Sequence, residues 1–160
     1  MSTPRNDYER LAIAQFAQIA ITRGLKPVTR FRADNQLKLP DGQHFQFGDL
    51  RVTKGTCHVI VEVESAGGVT NLVKYWYILQ KLRAEERVVL LHVFRQTSTG
   101  DYGSHMQLWD FLAARMRADL GDRFDAEQYT YRAPETTDTS FAAALVAFER
   151  WLDQEYGADA

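Results

Sequence analysis

The stretch that decides the fold is His58-Val59-Ile60-Val61-Glu62-Val63-Glu64, read with Gly48-Asp49-Leu50-Arg51 ahead of it. So many β-branched residues in a row predict a buried strand, yet the run ends on two carboxylates. Side chains alternate across a strand, so Glu62 and Glu64 emerge on one face, about 7 Å apart. Ionised groups on an apolar strand are costly unless they are paired, exposed at a sheet end or bound to a metal.

Working outward, Lys54-Gly55 reads as a tight turn into Cys57–Glu64. His44 to Val52 reads as the partner strand of an antiparallel hairpin. Pairing about that turn brings Asp49 opposite residues 60 to 62, where cross-strand neighbours sit about 5 Å apart. Asp49, Glu62 and Glu64 are therefore expected to converge as an oxygen-only cluster. Such a cluster suits a hard cation and metal-assisted hydrolysis of a phosphodiester. The same residues also suit a simpler arrangement. Glu62 and Glu64 then mark a sheet edge and pair with Arg51, Lys54 or Lys74, and Asp49 is a turn residue after Gly48.

Before the hairpin, Asn6 or Asp7 can cap a helix to about Arg23, stopped by Gly24. Tyr8, Leu11, Ala12, Phe16, Ile19 and Ala20 make its expected buried stripe. Glu9 lies near the helix start, where the dipole favours a carboxylate. Val28 to Arg32 is a short strand, and Pro40-Asp41-Gly42 carries turn chemistry. After the hairpin, Ser65-Ala66-Gly67-Gly68 breaks the strand, and Val69 or Thr70 opens a helix to about Leu82. Leu72, Tyr75, Trp76, Leu79 and Leu82 form its packed face, with Lys74 and Lys81 on another. Arg87 to Phe94 is a nearly continuous apolar run, as in a sheet interior. Gln96 to Gly103 is a polar loop. Two further helices are expected, one capped by Ser104 and running to about Leu120, and one capped by Thr139 or Ser140 and running from Phe141 to about Tyr156.

At 160 residues and 45% hydrophobic content, the chain predicts one globular domain, residues 1–160. The balance of 19 basic and 21 acidic residues excludes a global basic field. Locally, Arg23, Lys26, Arg30, Arg32, Lys38, Arg51 and Lys54 suit one polyanion-facing side or, nearly as well, a mixed solvated surface, whereas the chain is acidic from Asp119 onward. Cys57 stands alone, which rules out an intramolecular disulfide and a cysteine zinc site. The histidines lack metal-ligand spacing, although His58 shares the face of Glu62 and Glu64 by strand parity. No phosphate-cradling loop is present, because Gly67-Gly68 lacks the lysine arrangement that goes with one. No signal peptide or membrane-spanning run is apparent, so the expected location is cytoplasmic.

The order α-β-β-β-α-β, an aspartate on the second strand and an acidic pair on the third resemble the PD-(D/E)XK nuclease superfamily. The resemblance covers about residues 7–94, with about 104–156 as a C-terminal helical elaboration. It implies an α/β, restriction-endonuclease-like core, with a mixed central sheet flanked by helices and two helices added at the C-terminus. It implies that Asp49 and Glu62 are metal ligands, and that Glu64, standing where the family usually has lysine, adds a further metal ligand or positions water. Lys74 from the following helix would supply the amine, and Glu9 the extra acidic residue of the first helix. The implied activity is that of a metal-dependent endonuclease or DNA-processing phosphodiesterase, using Mg²⁺ or Mn²⁺ on DNA. A homodimer would be the simplest way to cut both strands. The alternative is an inactive module of the same fold that binds nucleic acid or a protein partner.

Overall fold

A computed structural model describes residues 4–30, 33–64, 68–96 and 103–157. Helix α1 (Pro4–Thr22) is followed by β1 (Val28–Thr29) and a 3-10 turn over Ala33–Asn35. Two short strands, β2 (Gln36–Lys38) and β3 (His44–Gln46), precede the main hairpin of β4 (Leu50–Lys54) and β5 (Cys57–Glu64). Then come α2 (Val69–Lys81), β6 (Arg87–Arg95), α3 (Gly103–Leu120), β7 (Phe124–Tyr131) and α4 (Thr139–Tyr156). Among the described residues these make a mixed five-stranded sheet in the order β1-β4-β5-β6-β7 and a separate β2–β3 pair.

The central strands form because they are apolar on both faces and each face has a cover. Val59, Val61 and Val63 of β5 pack with Val89, Leu91 and Val93 of β6 beneath α1 and α4. Ile60, Val88, Leu90 and Phe94 point the other way, under α2 and α3. His58, Glu62, Glu64 and His92 belong by parity to this second face. The β4–β5 pair is antiparallel with Leu50 opposite Val61, as the turn at Lys54-Gly55 requires. The β5–β6 and β6–β7 pairs are parallel. Among the described residues, no helix is long and apolar enough to cross a membrane.

Four expectations need correction. His44 to Val52 is not one strand: Gly48 adopts φ 86° and turns the chain, so β3 pairs with β2 while β4 pairs with β5. The C-terminal region is not two helices alone, because β7 lies between them as an edge strand. Its polar residues escaped notice because one side of an edge strand needs no apolar partner. Leu11 is 52% exposed, and the buried stripe of α1 runs instead through Ala12, Ile13, Phe16 and Ala20. Asp138, rather than Thr139 or Ser140, caps α4: its side chain accepts from the Ser140 and Phe141 amides. The first strand is Val28–Thr29, while the expected continuation into Phe31 and Arg32 lies outside the described residues. So do Ser65-Ala66-Gly67 and most of the polar loop after Gln96.

Candidate functional site

Gly48 is the residue that delivers Asp49. A side chain at position 48 would run into Ile60 Cγ2, and the positive φ disfavours any L residue there. The bend leaves Asp49 one residue before β4, with its amide donating to the Val61 carbonyl at 3.0 Å. Its Oδ2 accepts from the Val63 amide at 2.8 Å. The carboxylate of Asp49 thus completes the β4–β5 ladder, where a backbone carbonyl would otherwise accept. Arg30 and Gln46 approach Oδ1, each at 3.4 Å.

Glu62 is 2% exposed and meets α2 directly. Lys74 Nζ donates to its Oε1 at 2.7 Å, and the Tyr75 hydroxyl donates to the same oxygen at 2.6 Å. Two donors at consecutive helix positions reach one oxygen because the long Lys74 and Tyr75 side chains both extend from α2 to the end of β5. Glu64, two residues on, turns another way. Its Oε1 accepts from Asn71 Nδ2, and His92 Nε2 lies 3.3 Å from the same atom. Gly68 leaves room for this side chain, since a Cβ at that position would fall onto the Glu64 carboxylate and displace it.

Burial dominates the electrostatics. Desolvation, with the neighbouring Glu62 charge second, pushes the Asp49 carboxyl from 3.8 up to about 6. The Val63 amide and Arg30 oppose that rise, and Glu9 adds slightly to it. The Tyr75 hydroxyl is pushed well above its ordinary value, first by burial and then by Glu62, so it stays a donor.

Asp49, Glu62, Glu64 and Lys74 all line one open cleft of about 290 Å³, with Arg30 and Asn71 on its wall. Yet the three carboxylates do not converge as expected. Among the described residues, no group of three or more His, Cys, Asp or Glu side chains is placed to hold a metal ion. The reason is competition: Lys74 and Tyr75 draw Glu62 toward α2, while Asn71 draws Glu64 away. Pairing of Glu62 with Lys74 was the simpler sequence reading, and it is present. Glu9 stands behind the cleft, with Arg30 Nη1 3.5 Å from its Oε2 and 3.4 Å from Asp49 Oδ1.

The basic residues expected on one side are dispersed. Arg23 pairs with Glu149 and Asp153 on α4, and Lys54 donates to the Tyr156 carbonyl beside the β4–β5 turn, while Arg30 serves the cleft. Cys57 is half-buried and donates to Glu155, with its thiol pushed up to about 12, mainly by burial. His58 does not touch the cleft carboxylates; its ring bridges Thr53 and Glu86 at 2.9 and 2.7 Å.

Sequence reasoning missed Arg30, Gln46, Asn71, Tyr75 and His92 as site residues. Asn71 and Tyr75 carried a partial signal, being three residues before Lys74 and one after it on the same helix. His92 carried none, because parity puts it on the right face but only the β5–β6 register sets it beside Glu62. No family model matches the chain, and no curated protein or solved structure is similar enough to count as a match.

Proposed function

We propose that this cleft hydrolyses phosphodiester bonds in nucleic acid, DNA foremost, with a divalent cation, in the manner of a PD-(D/E)XK nuclease. The observation that carries the reading is the meeting of two nearly buried carboxylates, Asp49 and Glu62, with Lys74 at an open cleft. The main-sheet element order supports it: with the β2–β3 pair set aside, the chain runs α-β-β-β-α-β through β6.

The donor set suits Mg²⁺ or Mn²⁺, which need only one or two carboxylates when water and substrate phosphate complete the shell. Both hydrogen bonds to Glu62 land on Oε1, so among the described residues its Oε2 has no donor. Asp49 and Glu62 would hold the cation, which acidifies an attacking water and offsets charge on the phosphate. Lys74 would then face the phosphate and balance its added negative charge, with Arg30 contributing from the opposite wall. Glu64 would orient the water, and Glu9 would steady Arg30.

The test is cleavage of plasmid DNA with Mg²⁺ or Mn²⁺ by wild type, Glu62→Gln and Asp49→Asn. Cleavage by wild type and its loss in both variants is the expected result. Equal cleavage by all three would remove the cleft from the reaction. Nicked rather than linear product, with a monomeric mass in solution, would argue against a homodimer.

A second reading keeps the fold and drops the chemistry: a module binding nucleic acid or a protein partner. Its support is that the cluster is already neutralised from within, with Lys74 on Glu62 and Arg30 beside Asp49. Millimolar Mg²⁺ or Mn²⁺ separates the two, since a cation that binds the native cleft raises the melting temperature. No change favours the binding module.

A further inference from the structure

His92 sits in the middle of β6, fully buried, beside Glu62 in the parallel β5–β6 register. Its Nδ1 accepts the indole N–H of Trp109 at 2.9 Å. Indole nitrogen is a donor only, so Nδ1 must offer its lone pair and the proton of the neutral ring lies on Nε2. That N–H ends 3.3 Å from Glu64 Oε1 without good alignment, and among the described residues Nε2 has no other acceptor. A buried donor left in this condition is costly. Phe94, stacked on the ring at 4.2 Å, and Trp109 leave the imidazole little room to turn away. The acceptor within reach is the Glu64 carboxylate, which already takes the Asn71 amide and rests over Gly68.

We propose that His92 is a positioning residue: Trp109 sets its tautomer, and its Nε2–H holds the Glu64 carboxylate at the wall of the cleft. Helix α3 gains a part in the site through Trp109, whose indole N–H meets His92 Nδ1. The role of Glu64 in orienting water rests on the phosphodiesterase reading; the tautomer and the hold on Glu64 do not.

Two measurements on the full chain decide it. Two-bond proton–nitrogen spectra of ¹⁵N-labelled protein should show His92 protonated at Nε2 and bare at Nδ1. Trp109→Phe should move the Nδ1 signal, and Glu64→Gln should move the Nε2 proton. A ring protonated at Nδ1, or a His92 signal indifferent to Glu64→Gln, overturns the proposal. In DNA cleavage with Mn²⁺, His92→Phe should lower kcat about 10- to 100-fold with KM unchanged, as loss of an outer partner does. His92→Gln, which keeps an N–H donor, should recover part of that loss. Equal losses in both variants, or none, overturn the proposal. If wild type cuts no DNA the phosphodiesterase reading fails, and the spectra still decide whether His92 holds Glu64.

Discussion

Lys74 Nζ lies 2.7 Å from Glu62 Oε1 across the junction of α2 and β5, with both side chains largely withdrawn from water. A carboxylate this deep on an apolar strand is tolerated because the ammonium and the Tyr75 hydroxyl share its charge. Removing one partner of such a pair leaves the other charged and unsolvated. Lys74→Met should therefore lower the unfolding free energy by about 3 kcal/mol. Glu62→Gln, which keeps an acceptor for Tyr75, should cost less. Urea titrations of both single variants and the double variant check this, and the double variant should be more stable than the sum of the two losses implies.

The upward shift of Asp49 has a definite sign in stability. Below pH 3.8 the carboxyl is protonated in both states and nothing is lost. Between 3.8 and about 6 the unfolded chain releases the proton first, so native stability falls as pH rises through that window. The gap corresponds to on the order of 3 kcal/mol, lost in full above pH 6. Asp49→Asn should lack this decline, so its urea midpoint should gain on wild type from pH 4 to pH 6.5. Excess Mg²⁺ that binds the ionised carboxylate should narrow the difference in wild type only.

Asp138 should behave in the opposite sense. Burial is the largest single influence and raises its carboxyl, but the amides of Arg132, Ala133, Phe141 and Ser140 together outweigh it and hold it below its ordinary range. Its contribution is present above the unfolded value and is lost as pH falls through the folded one. Asp138→Ala should cost about 1–2 kcal/mol at neutral pH through loss of the α4 cap. Thermal melts should find the gap from wild type closing in acid.

Gly68 tests the geometry of the cleft wall. A methyl group there displaces the end of the Glu64 side chain rather than backbone, so Gly68→Ala should cost only about 1 kcal/mol. Gly48→Ala meets the Ile60 side chain in the core and a φ of 86°, and should cost more than twice as much. Chemical denaturation ranks the two. Under the phosphodiesterase reading, Gly68→Ala should nevertheless lose cleavage.

The hairpin was legible because its signals are local. Period-2 alternation, a Lys54-Gly55 turn and an apolar β5 leave one register, and that register brought Asp49 to Glu62. Lys74 was legible as well, standing at a helical position beyond the glycine break. The strand β7 was not, because Asp125, Glu127, Gln128 and Thr130 read as loop when seen without β6 beside them.

From its own sequence this chain determined alternating elements, a parity that sets Glu62 and Glu64 on one face, and a lysine helix after them. Those are short-range consequences of backbone geometry and hydrophobic period. The fate of each carboxylate was decided only in three dimensions. Lys74 and Tyr75 claim Glu62, while Asn71 claims Glu64, because a buried charge settles on the nearest donors that packing supplies. Which donors are nearest depends on how α2 crosses β5 and on the β5–β6 register, and neither is written in any one stretch of the chain.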